Sequence, residues 1–359
     1  MRASAAVKHI QHVASLGLDS QIAIPEMLRV VDAVVPGAFN SFFWVDDAGG
    51  LTNAYTPVVI MSALEVFSIG YDRLPAGEPT FDRILSERRE IGGAQRLHGA
   101  HDFSRSVLVN EVWRPYGIGC GLDLVLRDRG RPLGLLFVNR EAKHSRFTAA
   151  EARALAALAP HFTHALTAHP KPPSSTPGQG EERSGVVVAH ADGSIASFSA
   201  DAPVLMFELN DRQPWPGVRP LDAPVSVPPP LLELLRRLAR IRTGAPSAPA
   251  TIDRRTRRGL FRARAYPQAG GDLCVFTLTQ QLPAEIRMVR HLAGLDLSPR
   301  ERQVAYHLGM GSDADGGAQA LGVSIATWRS YVKRIYERLE IGSRVELHTL
   351  LDRQGERLH

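Results

Sequence analysis

Only two cysteines, Cys120 and Cys274, occur in 359 residues, and they sit in different regions of the chain. That count and spacing exclude a disulfide framework and a cysteine-based metal site. No apolar run reaches the roughly 18 residues that a membrane-spanning helix requires. The N-terminal stretch "MRASAAVKHIQHVASLG" lacks the long apolar segment of a signal peptide and reads as an amphipathic helix. A reducing cytoplasm is therefore the expected compartment, with no membrane partner. Gly-rich phosphate loops, nucleophile motifs and paired catalytic carboxylates are lacking too, so neither an enzyme nor a bound cofactor is expected, with an upstream enzyme or cofactor-bearing sensor as the alternative. There is no internal repeat. The formal net charge of +5 is a mild excess that permits an anionic partner without demanding one.

What is present divides the chain. "HPKPPSSTPGQGEER" (169–183) is rich in Pro, Ser, Gly and charge, cannot bury a core, and reads as a linker. Before it, residues 1–168 mix helix and strand. "PEMLRVVDAVVP" (25–36) has apolar residues three and four apart and predicts a helix. "FNSFFWVDDAGGLTNAY" (39–55) predicts strand, turn, strand, with Gly49 and Gly50 in the turn. "GCGLDLVLRDRGRPLGLLFVNR" (119–140) predicts a hairpin. "FTAAEARALAALAPHFTHAL" (147–166) predicts one helix that opens on a Thr148/Glu151 capping box and carries the stripe Leu155, Leu158, Phe162 and Leu166.

After the linker, residues 184–282 open on "GVVVAHADGSIASFS", where Asp192-Gly193 between β-prone runs signals a hairpin. "PWPGVRPLDAPVSVPPP" (214–230) is too proline-rich for regular structure. "LLELLRRLARIRTG" (231–244) predicts a helix stopped by Gly244, and two more strands are expected in 257–280. "PAEIRMVRHLAGLD" (283–296) predicts a connecting helix. The expected class is α+β multidomain, ending in an all-α domain over 297–359.

That last segment predicts four helices. Ser298 caps the first, with Pro299 in the first turn and Glu301 completing a capping box. The second follows Ser312 and ends at the turn residue Gly322. The third follows Ser324, and the fourth starts at Ser343 with Glu346 three residues on. Two helices joined by a tight glycine turn are a helix-turn-helix signature. On the third helix Ile325, Trp328, Val332, Ile335 and Leu339 are three and four residues apart and predict one buried stripe. Ala326, Arg329, Ser330 and Lys333 then face outward in the N-terminal half, where a recognition helix meets base edges. Arg and Lys suit guanine O6 and N7, and Ser is permissive. A basic solvated face of a bundle helix is the plain alternative.

The segment resembles a LuxR-type helix-turn-helix domain, the effector of many bacterial transcription regulators. The residues that carry the resemblance are "LSPRE" (297–301), Val304, Leu308, Gly311, Ala318, "LGVS" (321–324), Thr327, Val332, Ile335, Leu339 and "SRVEL" (343–347). The resemblance implies a sequence-specific regulator with double-stranded DNA as partner. It implies base or groove contacts from Arg329, Ser330 and Lys333, with Ser324, Thr327 and Arg334 also in the DNA-binding set. It further implies a homodimer formed through Leu347, Leu350 and Leu351, for which ordinary core is the alternative. Glu301 either pairs with Arg344 or only caps. One departure stands out: Gly317 sits where the family carries a large aliphatic residue, and Trp328 is larger than the usual residue at its position. The Trp328 indole is expected to fill the space left at Gly317. If it does not, a fold that has lost DNA affinity and serves only as an interaction module remains open.

Upstream, "NEVWRPYGIGCGLDLVLRDRGRPLGLLFVNR" and "FTAAEARALAALAPHFTHAL" resemble a GAF-like sensor domain, and 184–282 resembles a PAS domain through "GVVVAHADGSIASFS" and its last two strands. The resemblance implies a ligand or partner sensed upstream. Phe42, Trp44 and Tyr55 are candidates to line a ligand pocket or, alternatively, to be core. "HGAH" (98–101) and "HFTH" (161–164) space histidines three apart but bring no third ligand, so no metal is expected. Asp46-Asp47 reads as a solvated turn. "RRTRRGLFRAR" (254–264) is a candidate for phosphate contact, but Arg262 and Arg264 alternate with Phe261 and Ala263 as the outer face of a strand would.

Overall fold

The structure, a computed structural model, describes residues 2–56, 81–86, 91–92, 107, 110, 114, 117–141, 143–144, 146–168, 183–210, 225–256, 258–268 and 272–356. The linker except Arg183, the proline-rich stretch through Pro224, and "HGAH" lie outside the described residues.

In the N-terminal unit α1 (Ala3–Ser15) and α2 (Ser20–Leu28) precede β1 (Phe39–Val45) and β2 (Leu51–Tyr55). The expected helix over 25–36 is displaced. Asp19 caps α2 upstream by accepting from the Gln21 N–H at 2.8 Å, and Pro25 falls inside the helix. The β-branched run that follows tightens into a 3-10 turn, Val31–Ala33, consistent with its poor helix propensity. Next come α3 (Phe81–Ser86), β3 (Ile91–Gly92), β4 (Ile118–Asp128) and β5 (Arg131–Glu141). They complete an antiparallel sheet in the order β2-β1-β5-β4-β3. The last expected helix is two, α4 (Ala149–Ala156) and α5 (Ala159–Thr167). Its capping box is present, with the Glu151 N–H on Thr148 Oγ1 at 3.2 Å and the Thr148 N–H on Glu151 Oε2 at 2.7 Å. Pro160, which lacks an N–H and clashes one turn back, accounts for the break.

The middle unit has β6 (Arg183–His190), β7 (Ile195–Phe198), α6 (Ala202–Leu209), α7 (Pro229–Arg242), β8 (Thr251–Thr256), β9 (Gly259–Pro267) and β10 (Leu273–Gln281). Its antiparallel sheet runs β7-β6-β10-β9-β8. The β6–β7 turn is held by Asp192 Oδ1, which accepts from the Ser194 N–H at 2.8 Å. On β9, Phe261 and Ala263 are buried, and Arg262 pairs with Asp253 on the outer face at 2.8 and 2.7 Å. This unit has a core of its own, built on Phe261, Phe276, Leu231 and Leu234.

α8 (Ala284–Ala293) leads into α9 (Pro299–Gly309), α10 (Ala314–Leu321), α11 (Ile325–Leu339) and α12 (Arg344–Glu356). These helices do not form an independent core. Ile286, Val289 and Leu292 of α8 and Val304, Trp328 and Leu347 beyond it belong to the same continuous core as Ile10, Phe42 and Phe162. α1 lies against α8 and α9, and α2 against α8.

Polar groups are buried in this seam. Glu26, 2% exposed, accepts from His9 Nε2 at 2.9 Å, from Arg29 at 3.2 Å and from Arg290 Nε of α8 at 2.6 Å. Burial pushes its carboxyl up, but the His9 hydrogen bond and the Arg290 and Arg29 charges outweigh burial and hold it down at about 2. The group therefore favours the folded state above its ordinary value of 4.5, and that contribution is lost as pH falls toward 2. Nearby, His12 packs edge-on against Tyr306 of α9 at 5.8 Å. Burial, then repulsion from His9, Arg302 and His307, lowers His12 to about 3, so it sits neutral in the seam.

Candidate nucleic-acid interface

The recognition surface depends on how α11 is clamped. Ser298 Oγ accepts from the Glu301 N–H at 3.3 Å, and Glu301 Oε2 accepts from the Ser298 N–H at 2.8 Å, which starts α9. The same carboxylate accepts from Arg338 Nη1 of α11 at 2.9 Å. Glu301 therefore caps and also pairs across the fold, with Arg338 rather than Arg344 as partner. Burial raises its carboxyl, yet the bonds to Ser298 and the charges of Arg338 and Arg334 leave it below the usual range.

α10 is capped by Asp313, whose Oδ1 accepts from the Gly316 N–H at 2.7 Å, one residue beyond the expected Ser312. Its end is set by Gly322 at φ +61°, a left-handed position that glycine tolerates without strain. Gly317 faces Trp328 so closely that a Cβ there would stand 2.6 Å from Trp328 Cζ2 and Cζ3. The indole thus occupies the volume that the aliphatic side chain would take, as the sequence pattern predicts. α11 then starts at Ser324, whose Oγ accepts from the Thr327 N–H at 3.1 Å.

Trp328 and Ile335 are buried, and Val332 and Leu339 are half-buried against the same core. Ile325 departs from the expected stripe: it is 40% exposed, because the first turn of α11 lies outside the shared core. On the other side Ser324, Thr327, Arg329, Ser330, Lys333 and Arg334 are all exposed. Their states differ. Ser324 and Thr327 hydroxyls bond each other at 2.8 Å, and Ser330 Oγ donates to the Ala326 carbonyl at 3.0 Å. These hydroxyls are satisfied within the helix and retain acceptor capacity. Lys333 approaches Glu337 only at 3.8 Å with both side chains mostly exposed, a weak pair that leaves the ammonium available. Arg334 lies over the Tyr331 ring at 4.4 Å. The sequence reading did not single out Tyr331. Its spacing of three from Arg334 on a helix was the signal for such a stack.

On the fourth helix Leu347 and Leu351 are fully buried and Leu350 is half-buried, because α8 lies across α12 and α9. Leu347 and Leu351 pack into the shared core here, as the ordinary-core alternative expects. The exposed apolar side chain on α12 is Val345, 74% exposed.

The three pocket candidates do not act together. Phe42 is fully buried between Trp44 at 4.7 Å and Phe162 at 6.4 Å. Trp44 is also core, with Nε1 donating to Ser20 Oγ at 3.1 Å. Tyr55 borders a cavity between the units. In "HFTH", His161 bonds Gln11 at 3.3 Å, and among the described residues no group of three His, Cys, Asp or Glu is placed to hold a metal. No helix among them is long and apolar enough to cross a membrane.

Residues 295–351 match the family described as "Bacterial regulatory proteins, luxR family". The C-terminal helices are a LuxR-type helix-turn-helix domain, preceded by α+β units. No curated protein matches the chain. Among solved structures the chain is similar to Vibrio cholerae VqmA in complex with ligand and DNA, with 17% identity, a TM-score of 0.23, and coverage of 48% of this chain and 83% of that one. It is similar to the VqmA dimer of the same organism without target DNA at 14% identity, TM-score 0.17, and the same 48% and 83% coverage. It is also similar to the E. coli DhaR(N)–DhaL complex at 13% identity and TM-score 0.25, over 78% of this chain and 90% of that one.

Proposed function

We propose that this protein is a bacterial, cytoplasmic transcription regulator that binds double-stranded DNA sequence-specifically as a homodimer and has no catalytic step of its own. The carrying observation is the exposed row Arg329, Ser330 and Lys333 on a helix whose opposite side is fixed by Trp328 and Ile335 within a LuxR-type domain. Arg329 and Lys333 suit guanine edges, while Thr327, Ser324 and the Tyr331-stacked Arg334 suit phosphates. The filled space at Gly317 favours this reading over a degenerate fold without DNA affinity.

The two upstream units act as sensors. The strand order β2-β1-β5-β4-β3 supports a GAF-like reading of the first, and the equivalent order in the second supports a PAS-like one. A signal shifts the population toward an arrangement in which two copies present their α11 helices about 34–36 Å apart, one turn of the duplex. With Leu347 and Leu351 occupied by α8, the second copy meets the Val345 side of α12, or α8 moves first.

Selection of bound duplexes from a random pool with the full chain tests this reading. A consensus with two related half-sites is expected, with affinity falling steeply as salt rises. Lys333→Glu should weaken binding to the selected site about a hundredfold or more. Failure to enrich any sequence, or unchanged affinity in that variant, would sink the proposal.

A further inference from the structure

We propose that the cavity where the three units meet binds a small organic acid, and that the acid bears on the tie between the N-terminal unit and the helix leading to the DNA-binding domain. The inference deepens the sensing half of the proposed function and rests on it. The cavity has a volume of about 530 Å3, within the range of small-molecule sites. One wall is apolar: Ile22, Pro25, Phe39, Leu282 and Ile286. Around it stand Arg29 from the N-terminal unit, Arg183 and Arg258 from the middle unit, and Arg290 from α8.

Four arginines and three carboxylates, Glu26, Asp32 and Glu208, line the cavity. All three acids are engaged: Glu26 with His9, Arg29 and Arg290, Glu208 with Arg258 at 2.8 Å, and Asp32 with the Gly37 N–H at 2.6 Å. Arg258 is itself fixed, stacked on Tyr55 at 4.8 Å. Arg29 and Arg183 are held more loosely. The Arg29 side chain is 50% exposed and spreads over Glu26 at 3.2 to 3.4 Å, long for charge-assisted bonds. Arg183 is 35% exposed and reaches Asp201 only at 3.8 Å. A guanidinium has five N–H donors, more than these contacts use. A carboxylate with an apolar body fits both features: its oxygens meet Arg29 and Arg183, and its body covers the apolar wall.

The coupling follows from Arg290. Its 2.6 Å bond to Glu26 ties α8 to α2, and it lines the same cavity as Arg29. An acid bound beside Arg29 competes with Glu26 for these guanidiniums. α8 lies on α9 and α12, so loosening it reaches the DNA-binding domain directly. A ligand shifts that equilibrium only by its differential affinity for the two arrangements.

The test uses the full chain without DNA, in calorimetric titrations with benzoate and octanoate. Benzamide serves as the uncharged counterpart and inorganic phosphate as the bare anion. At least one acid should bind saturably and about tenfold tighter than benzamide or phosphate. Arg29→Gln with Arg183→Gln, checked for an unchanged thermal melt, should weaken it about tenfold, and Arg183→Gln alone should weaken it measurably. Hydrogen exchange in α8 should quicken when the acid is bound. No binding of either acid up to about 10 mM, equal binding of phosphate, or unchanged binding in the arginine variants would overturn the site. Unchanged exchange in α8 would overturn the coupling. Acid binding without DNA binding would refute the regulator alone, and DNA binding without acid binding would refute the cavity alone.

Discussion

The two upstream sheets have the same strand order, second-first-fifth-fourth-third within each unit, yet they relate to the DNA-binding domain in opposite ways. The first sheet and its helices share one continuous hydrophobic core with α8 through α12. The second sheet closes a core of its own and meets the first unit through Arg258, which stacks on Tyr55 and points toward the Ala54 carbonyl at 3.5 Å. Equal topology thus does not mean equal coupling. Apolar burial joins the first unit to the helix-turn-helix domain, whereas the middle unit meets the first through a polar contact centred on the buried Arg258.

The most damaging way to break this comparison is Glu26→Ala. His9, Arg29 and Arg290 lose their shared acceptor in the seam, and a cost of about 3–5 kcal/mol is expected. Calorimetric unfolding should show the transition of the joint core moving down while the middle unit's stays in place. Equal movement of both would mean that the two cores are not separate.

Next in size is the packing inside the DNA-binding domain. Trp328→Val leaves a void worth about 2–5 kcal/mol, and Gly317→Ile overpacks against the indole by about 1–3 kcal/mol. In chemical denaturation the double variant should recover part of both losses, while simple addition would refute the complementarity. Because the core is shared, each single variant should also speed hydrogen exchange in α1.

A smaller effect comes from pH. The folded state holds His12 at about 3 against an ordinary 6.5, so protonation favours the unfolded chain as pH falls from 6.5 toward 3. Between about pH 7 and pH 5 the joint core should lose up to about 2 kcal/mol, and His12→Leu should remove that dependence. Thermal melts across this range check it, and a slope that survives the substitution would assign the effect elsewhere. The smallest change is Arg262→Ala on the outer face of the middle sheet, where loss of the exposed pair with Asp253 should cost less than about 1 kcal/mol and leave DNA affinity untouched.

Much of the local structure is legible in the chain. Caps at Thr148, Ser298 and Ser324 act over three residues, so sequence spacing suffices to find them. The β6–β7 turn at Asp192-Gly193 and the strand faces around Phe261 are equally local. α2 was harder, since the Asp19 cap lies upstream of the apolar repeat, and β8 and α6 gave no reading because their patterns are short. The outward row on α11 follows from helical periodicity alone, but the exposure of Ile325 does not: periodicity says which side a residue faces, not how far the partner extends.

The sequence by itself determined the helix-turn-helix, its capping, its outward basic row and the pairing of a missing side chain at Gly317 with an outsized one at Trp328. Only the tertiary structure decided that Leu347 and Leu351 lie under α8, that Phe42 and Trp44 are core, and that Glu26 grips Arg290 across 264 positions of chain. The physical reason is range. Hydrogen bonds at helix ends and apolar periodicity are set by neighbours a turn away, whereas burial and ion pairing depend on which distant surfaces the collapsed chain brings together.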